Sequence, residues 1–246
     1  MGSLTLVDLF TIISSIATAV CAYIALKTLW EMKIQRESSY KPDIEIHEST
    51  YSFMIDEKRI CISNNKYKLE SPNKDIFDLQ LRLLNFGLGA AKRIQIRYEY
   101  PLRTVINEIN SLKLPTDKFN FSVKLDRNIL RINNRCYVYK NSNQQYIDFL
   151  LPNTEPKDKE YTSLYIPHYI LYLHIIYMQF QYYKDIETRQ NVNISSMDFQ
   201  EFPPLTAYIT FCDISNKCYN KVFNIYFDIA AFSATNGDGR IKITQI

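Results

Sequence analysis

Three histidines, His47, His168 and His174, are the first candidates for metal binding or acid–base chemistry. His168 and His174 are six residues apart, which does not place two imidazoles on one helical face, and no cysteine pair lies near them. The chain also has no G-x-S-x-G, H-E-x-x-H or Walker sequence. The sequence therefore predicts no catalytic residue, no metal site and no cofactor.

One pattern is typical of an enzyme. Pro42-Asp43 followed by Asp56-Glu57-Lys58 matches the P-D…[D/E]-x-K arrangement of metal-dependent nucleases. That chemistry requires the carboxylates and the lysine to converge on a metal ion and a phosphate. We expect Asp56 and Lys58 at the polar tip of a hairpin and Asp43 beside a helical stalk, so a membrane-tethered nuclease is the least favoured function.

Cysteine usage bears on the compartment. The number is odd and the spacing irregular, which favours small buried thiols in a reducing compartment over a secreted disulfide framework. One bridge remains open as an alternative, because two of the cysteines could face each other across a hairpin. The five residues are Cys21, Cys61, Cys136, Cys212 and Cys218, and the last two are that pair.

Composition narrows the class of protein. Of the 246 residues, 46% are apolar and 14% aromatic, which excludes general disorder, and only five are glycine, which disfavours a phosphate-binding loop enzyme. The net charge of +3 is too small to indicate a nucleic-acid partner. Basic residues recur along strands or turns, where a solvated face is the default and an anionic ligand or lipid surface the alternative. They are Lys92, Arg93, Arg97, Arg127, Arg131 and Arg135.

Residues 9–26 form an apolar run of eighteen residues without a charge, long enough for a transmembrane helix. Asp8 precedes the run, and Trp30 follows it at a position suited to the headgroup level. Residues 1–8 contain no Lys or Arg, so a cleavable signal peptide does not fit. The bilayer is therefore the first predicted partner, with residues 1–8 as an extracytoplasmic stub.

The flanks of this run predict its orientation. Residues 27–41 are expected to continue as a helical stalk that stops before Pro42. Basic residues gather on the cytoplasmic side of a span, and here they occur only after the run. The sequence thus predicts a single-pass inner-membrane protein whose C-terminal domain is cytoplasmic. The flanking residues are Lys27, Lys33, Arg36 and Lys41.

Small side chains recur within the predicted span. Ser14, Thr18 and Ala22 are four residues apart, and such a stripe lets two helices approach closely in lipid. Self-association through this face is one interpretation. The other is that the stripe reflects composition alone.

Residues 42–246 show the period-two alternation of strands. The clearest examples are 77–83 and 93–100, which predict a hairpin or a sheet-crossing pair around a Gly-containing turn, and the hairpin 205–212 with 218–228. Weaker strands are expected at 119–125, 136–140 and 146–151, and one short helix at 102–113. We expect a mainly β, antiparallel sandwich-like domain with one or two short helices.

Residues 164–183 carry no charge and leave two interpretations. A second membrane span is one. A buried helix followed by a strand is favoured, because Pro167, two histidines, two glutamines and six tyrosines suit a bilayer centre poorly.

The chain resembles uncharacterised bacterial single-span membrane proteins whose cytosolic β-sandwich carries an N-x-G-x-G-x-A turn. Asn85, Gly87, Gly89 and Ala91 match that turn, and 211–219 is similar to the usual Y-x-D-I-x-G-K-x-Y hairpin, with Phe and Asn replacing the first Tyr and the Gly. The resemblance implies the anchor-plus-domain architecture, and some proteins of similar plan are membrane effectors of anti-phage defence. From the residues themselves, the glycines permit a tight turn, Ala91 a close backbone approach, and Asn85 closes the turn.

Taken together, these features predict a non-enzymatic effector or sensor that self-associates or binds partners, among them a protein encoded in the same operon. The alternative is a membrane-tethered adaptor or ligand-binding protein without effect on the bilayer.

Overall fold

The computed structural model describes residues 6–56, 59–64, 69, 77–111, 123–127, 129–132, 135–138, 144–153, 162–188, 202–232 and 236–246. Within them the chain forms three helices and fourteen strands. The helices are α1 (Leu6–Ser39), α2 (Leu102–Ser111) and α3 (His168–Thr188). The strands are β1 (Ile44–His47), β2 (Ser49–Asp56), β3 (Arg59–Ser63), β4 (Phe77–Asp78), β5 (Gln80–Asn85), β6 (Ala91–Glu99), β7 (Val123–Asp126), β8 (Ile129–Ile132), β9 (Arg135–Val138), β10 (Gln144–Leu150), β11 (Thr162–Tyr165), β12 (Leu205–Cys212), β13 (Cys218–Phe232) and β14 (Asn236–Gln245).

Helix α1 joins the predicted span and stalk into one element of 34 residues, about 51 Å long at 1.5 Å per residue. Its stretch Leu6–Glu37 is long and apolar enough to cross a membrane, and the most apolar part of it packs against no other part of the described chain. Leu6–Asp8, the last three residues of the predicted stub, belong to the helix, and 1–5 lie outside the described residues. The helix ends at Ser39, as the constraint from Pro42 predicts.

The remainder is mainly β, as predicted, and its sheets are curled. The large sheet has eight strands in the order β10-β6-β12-β13-β14-β2-β3-β4. Two three-stranded sheets, β1-β5-β11 and β7-β8-β9, complete the described part. The more specific expectation of a sandwich stays a prediction.

Two amide side chains join the sheet β1-β5-β11 to the large sheet. Gln145 of β10 donates to the carbonyl of Ser163 at 2.9 Å and accepts from the amide of Tyr165 at 3.0 Å, which extends the hydrogen bonding from β10 to β11. On the other side, the Asn64 side-chain oxygen accepts from the Gln80 amide at 2.7 Å. The small sheet is thus connected to β10 through Gln145 and to the residue after β3 through Asn64.

The predicted strand 77–83 is in fact two strands. Its first residues, β4, pair in parallel with β3 in the large sheet, whereas β5 pairs with β1 and β11. The predicted alternation is confirmed, since Leu79, Leu81 and Leu83 are buried. However, an alternating pattern does not show whether successive residues of a segment belong to the same sheet. Because β6 lies in the large sheet, the turn after β5 makes a sheet-crossing pair, one of the two predicted alternatives.

The other predicted elements are largely present. β12 and β13 pair from Leu205↔Ile225 to Cys212↔Cys218, which confirms the C-terminal hairpin. Helix α2 buries the apolar face predicted for 102–113. β7, β9 and β10 correspond to the three weaker strands, although β10 ends at Leu150, one residue early, and 119–122 and 139–140 lie outside the described residues.

Helix α3 lies in the core of the domain. Every side chain from Tyr169 to Gln179 is buried, and the Tyr172 hydroxyl donates to the carbonyl of Ile60 in β3 at 3.0 Å. The predicted core position of 164–183 is therefore confirmed for its described part. The predicted order was wrong, because a strand, β11, precedes the helix.

Candidate functional site at the junction of helix and β domain

Asn85 organises the place where α1 meets the β domain. Its buried side-chain oxygen accepts from the amides of Asp43 at 2.9 Å and Gly87 at 3.1 Å, and its side-chain nitrogen donates to the carbonyls of Gly89 at 2.7 Å and Leu150 at 3.3 Å. The end of β5, the following turn, the end of β10 and the residue before β1 are thus tied to one amide. The sequence predicted that Asn85 closes the turn but not that it binds the segment after α1.

Gly87 and Gly89 are required for close approach. A Cβ atom on Gly87 would overlap the backbone of Lys41 and Asp43, and one on Gly89 would overlap the carbonyl of Tyr40. Neither glycine has a positive φ, so it is this close approach to residues 40–43, and not a left-handed backbone, that excludes a larger side chain here. Ala91 is fully buried at the start of β6 opposite Leu150. The turn between β5 and β6 therefore lies in close contact with residues 40–43, a segment that we call the hinge.

The hairpin between β12 and β13 is closed by Asp213. Its carboxylate accepts from the Ser215 hydroxyl at 2.7 Å, the Lys217 amide at 2.9 Å and the Tyr219 hydroxyl at 3.1 Å. Burial acts to raise the pKa of Asp213, but these hydrogen bonds outweigh it and hold that pKa below its ordinary value. Asn216 has a φ of 67°, the conformation that Asn tolerates in place of Gly.

This hairpin reaches the same hinge. The Lys41 ammonium lies 5.2 Å from the centre of the Tyr219 ring, and Lys221 forms an ion pair with Asp43 at 2.6 Å. The Lys92 ammonium, from the start of β6, donates to the Ile214 carbonyl at 3.1 Å. Both segments that carry the resemblance therefore meet at the end of α1, although the contacting residues Lys92 and Ile214 are 122 positions apart along the chain.

The Asp43–Lys221 pair is the best-shielded of these charge contacts. The Lys221 side chain is only 15% exposed, whereas that of Asp43 is 52% exposed. Burial, followed by the hydrogen bond to Asp213, raises the pKa of Tyr219. Sequence reasoning missed Lys221 and Tyr219 as hinge contacts, because nothing in strand alternation identifies a partner on another element.

The other predicted anchor residues lie along α1, away from this junction. Lys27 and Lys33 are exposed and lie 3.9 and 4.0 Å from Glu31 and Glu37. Ser14, Thr18 and Ala22 are exposed on the helix surface, and Arg36 lies in its last turn. Only Lys41 of the predicted basic flank contributes to the junction.

The structure describes only part of the nuclease pattern, because Glu57 and Lys58 lie outside the described residues. Of the two described carboxylates, Asp43 precedes β1 and is paired with Lys221, while Asp56 ends β2, so two strands separate them along the chain. Among the residues that the structure describes, no three His, Cys, Asp or Glu side chains are arranged to hold a metal ion.

Cys212 and Cys218 are joined by a disulfide at the base of the Asp213 hairpin. The favoured expectation of thiols only was therefore wrong for this pair, and the alternative bridge is present. The register of β12 and β13 explains it, since it places the two residues directly opposite each other. Of the other cysteines, Cys61 is buried, and Cys21 and Cys136 are exposed.

A surface groove of about 360 Å³ lies over β6, β12 and β13. The Arg97 guanidinium lies 4.9 Å from the centre of the Tyr208 ring and 3.1 Å from the Glu99 carboxylate. A hydrogen bond with Glu99 raises the pKa of Tyr208. Amide and hydroxyl groups of Gln95, Thr210 and Asn220 also line the groove.

Comparison of the chain with protein-family models, curated proteins and solved structures gives no match.

Proposed function

We propose that this chain is a membrane-anchored, non-enzymatic effector or sensor whose cytoplasmic β domain passes conformational changes to its transmembrane helix. In this proposal α1 spans the inner membrane, and copies associate through it. The observation that carries the proposal is the junction, where the hinge is held by Asn85, Gly87 and Gly89 on one side and by the Asp213 hairpin on the other.

The construction of this junction differs from that of a flexible tether. A simple anchor needs only a polar or Gly/Ser-rich linker between helix and domain. Here Tyr40 still donates to the carbonyl of Arg36 at 3.1 Å, and the amide of Asp43 is already bound by Asn85. Three residues separate the end of α1 from fixed domain backbone, so a rotation of the domain is expected to move the helix.

A matched pair of variants tests this coupling. Gly89→Ala inserts a methyl group against the Tyr40 carbonyl and should push the turn off the hinge. Leu88→Ala changes the neighbouring residue, whose side chain is 66% exposed, and should leave the contact intact. Both are compared with the parent, and with a chain lacking residues 1–30, for growth arrest on overexpression and for protection against phage.

The proposal predicts activity for the parent and for Leu88→Ala, and loss of activity for Gly89→Ala at unchanged membrane content. Equal activity of Gly89→Ala and the parent would show that the junction is not used. Full activity of the chain without residues 1–30 would show that the membrane is not the site of action.

The second candidate is an adaptor that binds a ligand or partner without affecting the bilayer, and the groove beside Arg97 and Tyr208 favours it. If the chain is such an adaptor, the variants Tyr208→Ala and Arg97→Ala should each fail to capture a co-encoded partner. The variant Gly89→Ala should still capture it. The opposite ranking of these variants favours the effector.

A further inference from the structure

The disulfide lies next to the contacts that hold the hinge. Cys212 is the last residue of β12 and Cys218 the first of β13, so the bridge closes the strand ends from which the Asp213 turn projects. The residue after Cys218 is Tyr219, whose ring lies beneath the Lys41 ammonium and is stacked on Phe211 at 5.5 Å. The bridge therefore lies one residue from a side chain that contacts the hinge.

The two cysteines differ in exposure. Cys212 is 7% exposed, whereas Cys218 is an exposed residue at the hairpin surface. Cys218 is therefore the one at which we expect an incoming thiolate to attack, with Cys212 as the leaving group. Access to one sulfur of a bridge is a requirement for thiol–disulfide exchange.

We propose that Cys212–Cys218 is a thiol–disulfide exchange site for low-molecular-weight thiols, and that its opening loosens the junction between α1 and the β domain. The inference rests on the cytoplasmic placement in the proposed function. In a reducing compartment a permanent structural disulfide is not expected, and bridges that do form there are usually transient and redox-sensing. Reduction of the bridge would then loosen the contacts between the β domain and α1, and oxidation would restore them.

The Cys212–Cys218 bridge would be reduced in two steps. A small-molecule thiolate attacks Cys218 Sγ, the bond between the two protein sulfurs breaks, and Cys212 leaves as a thiolate that takes a proton from water. A second small thiolate attacks the mixed disulfide and releases Cys218, which is protonated in turn. Two small thiols are oxidised to one disulfide while the protein bridge gains two electrons and two protons, and the oxidised small molecule reverses the reaction.

The test uses the full chain in detergent, incubated without denaturant in excess reduced or excess oxidised glutathione. Thiols are trapped with acid and alkylated, and amide hydrogen exchange is followed in parallel. We expect opening in reduced and closure in oxidised glutathione. On opening, exchange should accelerate about tenfold at 213–219 and at 40–43, while β2 and β3 stay unchanged.

Matched variants separate the bridge from other thiols. Cys212→Ser should show the fast exchange in both buffers, and Cys136→Ser, which removes an exposed cysteine elsewhere, should behave as the parent does. A bridge that opens only in denaturant would overturn the proposal, as would opening that changes exchange at 40–43 less than twofold. The same alkylation in cells should find thiols before, and a disulfide after, treatment with a thiol oxidant.

Failure of this inference is distinguishable from failure of the proposed function. A bridge that stays oxidised in untreated cells, with a C-terminal reporter active in the cytoplasm, overturns the exchange site alone. A reporter active only in the periplasm overturns the cytoplasmic placement, and with it both proposals.

Discussion

The buried side-chain amide of Asn85 joins four backbone groups from separate segments of the chain. Both lone pairs of its oxygen and both hydrogens of its nitrogen are used, each by a backbone group. No other side chain of similar size offers two donors and two acceptors in that geometry. Removal of the amide leaves four backbone groups to find new partners in a place that is largely closed to water.

We expect Asn85→Ala to lower the free energy of unfolding by about 3 kcal/mol, because buried backbone donors and acceptors lose their partners. Denaturant unfolding of the full chain in detergent measures it. Asn153→Ala is the control, since Asn153 contacts Asn85 through backbone only, and its effect should stay within about 0.5 kcal/mol. Equal effects of the two variants would contradict the assigned role.

His174 is buried in α3 between aromatic rings, with Phe202 at 4.7 Å and Phe227 at 5.7 Å between ring centres. Neither ring nitrogen has a hydrogen-bond partner among the residues that the structure describes. Burial lowers the pKa of His174 to about 4, against a smaller opposing effect of Asp228. His174 is therefore a core residue that is neutral at pH 7 in the described structure.

This pKa predicts acid sensitivity. Above pH 6.5 the imidazole is neutral in both states, but between pH 6.5 and 4 the unfolded chain takes up a proton that the folded chain does not, so stability falls as pH falls. From pH 7.5 to pH 5 the loss should be about 2 kcal/mol. Denaturant unfolding at both pH values should show a smaller loss in His174→Leu, whereas the exposed His47→Gln should match the parent.

At the scale of elements, four hydroxyl groups of α1 are bonded within the helix itself. Thr18 donates to the carbonyl of Ser14 at 2.8 Å, and Thr11, Ser15 and Thr28 bond in the same way one turn back. The Thr18 donor of the predicted stripe is therefore already used within the helix. If two helices associate through this face, close packing of small side chains contributes more than a hydrogen bond from Thr18.

Thr18→Leu tests that packing. A larger side chain should separate the two helices and weaken association, and loss of about 1–2 kcal/mol per contact corresponds to roughly five- to thirtyfold. Crosslinking in membranes at engineered single cysteines, with Cys21 replaced by Ser, measures it. Ile16→Leu lies on the opposite helical face and should crosslink like the parent. Unchanged crosslinking of Thr18→Leu would identify the stripe as composition alone.

For the whole molecule, two observations bear on orientation and point in opposite directions. Lys27, Lys33, Arg36 and Lys41 all follow the apolar stretch, which favours a cytoplasmic domain. The Cys212–Cys218 disulfide is more typical of an oxidising compartment. The flanking charges act during insertion and so decide topology, whereas a bridge can form or open afterwards.

A reporter fused after Ile246 decides the orientation. We expect activity from a reporter that functions only in the cytoplasm and none from one that functions only in the periplasm. Replacement of Lys33 and Arg36 by Gln should reduce this preference, since the excess of basic residues beyond the span is halved. The reverse reporter pattern in the parent chain would refute the cytoplasmic placement.

The sequence by itself determined the features that depend on neighbouring residues. Eighteen consecutive uncharged residues from Leu9 to Leu26 are sufficient to predict an apolar helix, whatever the rest of the chain does. Alternation predicted β12 and β13, because the two strands are joined by a short polar turn and pair with each other. Helix α2 was predicted for the same reason, from the spacing of its own apolar face.

Only the tertiary structure decided which segments meet. Periodicity shows that one face of a strand is buried, but not against what, so it could not distinguish β4 in one sheet from β5 in another. It also could not show that the Asn85 turn and the Asp213 hairpin both contact the hinge. Nor could it predict the ion pair of Lys221 with Asp43, which are 178 positions apart in the sequence. The glycine motif was detected, yet its reason lies in the backbone of Tyr40 pressed against Gly89, a contact that no local pattern contains.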